Sequence, residues 1–95
     1  LDKDYKKFEE TADFIKGIAH PVRICILKGL VDNGGCNVTD MVSCLGLPQS
    51  TISTHLSRLR SFGAVMTERR GTEIYYTIGD ERISNLLKAI GVNHE

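Results

Sequence analysis

Gly46 and Pro48 stand two residues apart between two short amphipathic stretches, and that punctuation leaves few folds open. Val38, Met41, Val42 and Leu45 recur three and four residues apart before it, and Ile52, Leu56 and Leu59 do so after it. Glycine suits the left-handed end of one helix and proline the start of the next. Asn37, with Asp40 three residues on, has the form of a variant capping box and opens the first of the two. Two short helices joined by "LGLPQ" have the outline of a helix-turn-helix.

The flanking sequence extends that unit. Tyr5, Phe8, Ala12 and Ile15 form one apolar stripe among Lys, Glu and Asp, which predicts a first helix from about Asp4 to Ile18. His20-Pro21 breaks the chain and restarts it as a second helix. Its residues Val22, Ile24, Ile26, Leu27, Leu30 and Val31 mark it as the most buried, and it stops at Asn33-Gly34-Gly35. The fourth helix ends between Ser61 and Gly63. "AVMTERRGTEIYYTI" then alternates on both sides of Arg70-Gly71-Thr72, a β-hairpin pattern. Asp80 opens a last helix carrying Ile83, Leu86, Leu87 and Ile90, with Gly91 as its stop. The expected fold is mainly α with a β-hairpin wing: a winged helix-turn-helix of order α-α-α-α-β-β-α, one domain over residues 1–95.

At 95 residues such a domain has little core to spare, and its first and last apolar stripes exceed what one core can cover. Tyr5, Phe8, Ala12, Ile15, Ile83, Leu86, Leu87 and Ile90 are therefore expected to pair across the two-fold axis of a homodimer. Formal net charge is zero, which argues against a polybasic nucleic-acid binder, but charge placement matters more than the sum. Between Pro48 and Thr72, Arg58, Arg60, Arg69 and Arg70 face Glu68 alone, whereas Leu1 to Lys16 holds four lysines against five acids. Three cysteines, no signal-peptide pattern and no apolar run of membrane-spanning length point to a reducing cytoplasm and no membrane partner. The chain starts at Leu1 rather than Met, as expected of a trimmed N-terminus.

The fourth helix carries an unusual polar face. Ser and Thr are weaker helix formers than Lys, Glu or Ala, yet Gln49, Ser50, Thr51, Ser53 and Thr54 crowd its first turns. In a helix-turn-helix the second helix lies in the major groove, and its N-terminal residues meet base edges. Short side chains let the helix axis approach. Gln can grip adenine through two bonds, Ser and Thr bond to any base, and the Thr methyl touches that of thymine. Arg58 at the helix end and Arg69 and Arg70 at the hairpin tip are placed for phosphates or a minor groove. No enzyme chemistry competes: Asp40 and His55 come with no nucleophile, glycine-rich phosphate loop or paired carboxylates.

"IAHPVRICIL", "VTDMVSCLGLPQSTISTHLSRLRSFGAV" and "RRGTEIYYTI" resemble the ArsR/SmtB family of winged-helix repressors, over residues from about 12 to 90. The Ser53-to-Leu56 element, S-x-H-L, is the most diagnostic part. The resemblance implies a homodimer joined by its first and last helices, repressing a double-stranded operator until an effector binds. It also implies base contacts from Gln49, Ser50, Ser53 and Thr54, and a packing or phosphate role for His55.

The family's metal sites are not matched. One uses a Cys-x-Cys ahead of an Asp-Leu; here Asn37 and Thr39 hold the cysteine positions, and Cys36 is displaced by one. The other begins Asp-x-His on the last helix; Asp80 matches, but Arg82 and Asn93 replace the histidines, and His94-Glu95 reads as a frayed tail. No metal and no cofactor are therefore expected. Among the thiols, Cys25 reads as a small core residue. Cys36 and Cys44, taken as lying on one helix, would be about 12 Å apart, too far for a disulfide. Cys36, beside a helix N-terminus that would favour its thiolate, is the candidate thiol sensor. The expected function is a sequence-specific transcriptional repressor whose effector is a partner protein, its own concentration or absent. The alternatives are a thiol-oxidation switch and a winged-helix docking module.

Overall fold

The computed structural model describes residues 1–92. A 3-10 turn, Tyr5–Phe8, leads into α1 (Glu9–Ile18), followed by α2 (Pro21–Asn33), β1 (Cys36–Asn37), α3 (Val38–Leu45) and α4 (Gln49–Ser61). The hairpin β2 (Val65–Arg70) and β3 (Glu73–Ile78) and the last helix α5 (Arg82–Ala89) complete a winged helix-turn-helix.

Local chemistry sets the boundaries. His20 caps α2 by accepting the Val22 amide on Nδ1 at 3.1 Å, with Pro21 in the first turn. The Asn37 side chain caps α3 by accepting the Asp40 amide at 2.8 Å. Gly46 ends α3 at φ 65°, a left-handed conformation open to glycine at little cost, and Pro48 follows at once. This is the turn of the helix-turn-helix.

The core joins Ile26, Leu27 and Leu30 of α2 to Ile52, Leu56 and Leu59 of α4, with Met41, Ala64 and Val65 around them. Phe14 and Ile18 close it from α1, and Phe14 meets Phe62 edge-on at 5.6 Å between ring centroids. From α5, Ile83 and Leu87 complete it.

Three expectations are corrected here. The first helix is not continuous from Asp4, since its opening turn is 3-10, and the face it turns to its own core is Phe14, Gly17 and Ile18. The wing gains a third strand: β1 pairs antiparallel with β3, Cys36 opposite Tyr76 and Asn37 opposite Tyr75. Ile83 and Leu87, expected at a dimer seam, lie inside this protomer, at 0% and 3% exposure. They sit on the inner face of α5, while Ile90 points outward and Leu86 is half-buried.

Candidate nucleic-acid interface

Three buried residues on one side of α4 (Ile52, Leu56 and Leu59) force its other side outward. Gln49, Ser50, Ser53 and Thr54 share that outer surface and are exposed, whereas Thr51 is half-buried. Among the described residues, the side chains of Gln49, Ser50 and Ser53 make no hydrogen bond within the chain. The Thr54 hydroxyl is partly committed, donating to the Ser50 carbonyl at 2.9 Å. Pro48 caps α4 without a side-chain bond, so the positive end of the helix opens beside Gln49 and Ser50. A helix that presents short donors and acceptors beside its own positive end can approach base edges closely.

Arginines flank this surface. Arg58 and Arg60 are exposed in the last turn of α4. Arg69 and Arg70 end β2, and the hairpin turns at Gly71, where φ is 62°, in register Arg70 opposite Glu73. The two are not equivalent. Arg70 lies 4.4 Å over the Tyr75 ring and donates from Nε to Glu68 at 3.1 Å. That hydrogen bond, with the Glu68 charge, pushes the Arg70 pKa up. Among the described residues, Arg69 bonds the Gly71 carbonyl, at 3.3 Å, and no carboxylate.

His55, midway along α4, turns toward α2. Its Nδ1 lies 3.2 Å from Arg23 Nη1, and its ring lies 4.3 Å from that of His20. Burial, then His20 and Arg23, hold the His55 pKa below the usual imidazole range. Neither Arg23 nor His20 was expected at the site; "AHPVR" places both on the first turn of α2, but their partner lies over thirty residues away.

The cysteine expectations change. Cys25 is exposed rather than in the core, as is Cys44. Cys36 lies on β1, not on the helix with Cys44, so the separation along one helix does not apply. All three line one cavity of about 150 Å³ between α2 and α3. Burial, with Asp40 and Cys44 nearby, pushes the Cys36 thiol pKa up, against the expected thiolate, and the thiol donates to the Asn37 carbonyl at 3.3 Å.

At the start of α5, Arg82 grips the Asp80 carboxylate, Nε to Oδ1 at 3.1 Å and Nη2 to Oδ2 at 2.7 Å. Its guanidinium also covers the Phe14 ring at 4.1 Å. The Arg82 contact holds the Asp80 pKa below the usual carboxylate range. Among the described residues, no three His, Cys, Asp or Glu converge to hold a metal ion; Asn93 and His94-Glu95 lie outside those residues. No helix among them is long and apolar enough to cross a membrane.

Helix-turn-helix, wing and exposed polar helix start together define a winged helix-turn-helix regulator of transcription. The family model described as "Bacterial regulatory protein, arsR family" matches residues 20–66. The transcriptional repressor PagR of Bacillus anthracis is 38% identical over 92% of this chain and 87% of its own length. An uncharacterized HTH-type transcriptional regulator of Methanocaldococcus jannaschii is 36% identical over 90% and 96%. The crystal structure of PagR superposes with a TM-score of 0.81 at 35% identity, over 93% of this chain and 100% of that one. That of NolR from Sinorhizobium fredii gives 0.85 at 32%, over 97% and 92%. The chain belongs to the arsR family, whose members are DNA-binding transcription regulators and not enzymes.

Proposed function

We propose that this chain is a homodimeric repressor of one domain that reads a two-fold-symmetric operator with the first turns of α4. The observation that carries this reading is the exposed surface of Gln49, Ser50, Ser53 and Thr54 on a helix anchored by Ile52, Leu56 and Leu59. Thr51, half-buried at the edge of that surface, contributes through its methyl, and Arg58, Arg69 and Arg70 hold the phosphates. Similarity to the PagR repressor supports repression as the outcome.

The dimer rests on what one protomer leaves uncovered. Tyr5 is 70% exposed, Phe8 and Ile15 52% each, and Ile90 56%, with Ala12 exposed and Leu86 half-buried beside them. These residues lie on the 3-10 turn, α1 and α5, the two ends of the chain. A dimer through them sets two α4 helices one DNA turn, about 10 bp, or a multiple apart.

Metal is not the effector in this reading. The Asp80 carboxylate is bound by the Arg82 cation, and Asn37 and Thr39 carry no soft ligand. A thiolate switch at Cys36 is disfavoured by its raised pKa. Selection of bound duplexes from a random pool, followed by footprinting, tests the proposal. The expected product is an inverted repeat protected on both halves; recovery of no sequence preference contradicts it.

A further inference from the structure

His20, Arg23 and His55 form a cluster in which both imidazoles are used as acceptors. His20 Nδ1 accepts the Val22 amide and so caps α2. A guanidinium only donates, so His55 Nδ1 must accept from Arg23 Nη1. An imidazolium has no acceptor nitrogen. Protonation of His55 turns its bond to Arg23 into a repulsion. The His20 ring lies 4.3 Å from that of His55 and disfavours a charge on it. Arg23 has nowhere else to turn: its Nε is buried without a partner, and the His55 contact is its one side-chain hydrogen bond among the described residues. His55 belongs to α4, the helix that carries Gln49, Ser50 and Ser53, and Arg23 belongs to α2, the core helix beneath it.

We propose that Arg23 and His55, with His20 beside them, are positioning residues that hold the reading helix on α2 only while the His55 imidazole is neutral, so that operator affinity falls as pH falls. Among the described residues, the groups acting on the His55 ring are His20, the cap residue of α2, and Arg23 in its first turn. The His55 pKa, held below its ordinary value, gives the same sign for folding. Its contribution is fully present above the unfolded imidazole pKa, about 6.5, and is lost as pH drops through the folded value. The sign for DNA is diagnostic. A histidine that touched phosphate would gain a proton on binding, and affinity would rise in acid. A histidine that must stay neutral to position the helix gives the opposite slope.

This inference rests on the DNA-binding reading, and the test keeps the two apart. Anisotropy titrations at constant ionic strength, from about pH 8 to about pH 5.5, use a duplex recovered by selection with this protein at the higher pH. Wild type is expected to lose about tenfold in affinity across that range. His55→Gln, which offers Arg23 an amide oxygen, should flatten the profile, whereas His20→Asn, which keeps a side-chain cap, should leave the fall in place. Circular dichroism at each pH confirms that the helices persist. Without DNA, imidazole ¹⁵N shifts should show both rings protonated on Nε2 at pH 8. Failure to select any duplex counts against the function; ¹⁵N shifts placing either proton on Nδ1 overturn the cluster independently of DNA. An affinity that is flat or rises in acid, or a fall that persists in His55→Gln, overturns the inference while leaving DNA binding intact.

Discussion

The Thr54 hydroxyl donates to the Ser50 carbonyl one turn back, at 2.9 Å, within the polar surface assigned to base reading. Its hydrogen is therefore used inside the helix, and what remains to face DNA is an oxygen that can only accept, and the methyl. Thr54→Val keeps the shape and the methyl. It should change operator affinity by no more than about 0.5 kcal/mol, in titrations against the selected duplex. A loss comparable to that of a reader residue would mean that the hydroxyl itself contacts a base.

The arginines should behave unlike the readers. Arg58→Ala and Arg69→Ala should weaken binding to every sequence alike and lower the slope of affinity against salt by about one phosphate contact each. Arg70 is tied to Glu68 and stacked on Tyr75, so Arg70→Ala should have a smaller effect than Arg69→Ala. Glu68→Gln should raise nonspecific affinity by freeing that charge. Titrations at two salt concentrations on unrelated duplexes separate these cases.

Zinc and cadmium should leave operator binding unchanged, because the Arg82 guanidinium holds both oxygens of the Asp80 carboxylate. Calorimetry and anisotropy with each metal check this. Tight stoichiometric binding that lowered operator affinity tenfold would contradict the reading of the site.

Dimerisation should fail when charge enters the uncovered faces. Phe8→Asp or Ile15→Asp places an unpaired carboxylate where an apolar partner is expected, and sedimentation at micromolar concentration should then report monomer. Ser43→Asp, on the exposed part of α3, is the control that should remain dimeric. A wild-type monomer at that concentration contradicts the dimer outright.

Two glycine substitutions should move stability in opposite directions. A Cβ on Gly17 would run into the Phe62 ring, which is itself fixed edge-on against Phe14. Gly17→Ala should therefore destabilise by about 1–3 kcal/mol. A Cβ on Gly29 meets nothing within 4 Å, and Gly29→Ala should stabilise α2 by up to about 1 kcal/mol. Urea denaturation of both variants decides it.

Periodicity made the helices and hairpin legible, but not which face of the first helix turns inward. That helix is apolar on two sides: Phe14 and Ile18 on one, Tyr5, Phe8, Ala12 and Ile15 on the other. Spacing records both stripes and cannot say which one its own core takes. The same limit put Ile83 and Leu87 with Leu86 and Ile90. Strand β1 was invisible because two residues carry no alternation, and its partners, Tyr75 and Tyr76, lie almost forty residues away. At the site, the exposed polar surface of α4 was legible because Ser and Thr are poor choices for a solvated helix. The tie between Arg23 and His55 was not, since each residue alone suits a surface helix and only the tertiary fold brings them together.

The central claim is that the first turns of α4 read sequence. Gln49→Ala, titrated on the selected duplex and on a scrambled duplex of equal length and composition, tests it most directly. The variant should lose about 1–3 kcal/mol per half-site on the selected duplex, accept more than one base pair at the contacted position, and bind the scrambled duplex as wild type does. An equal loss on both duplexes would contradict the claim and place sequence reading elsewhere on the protein.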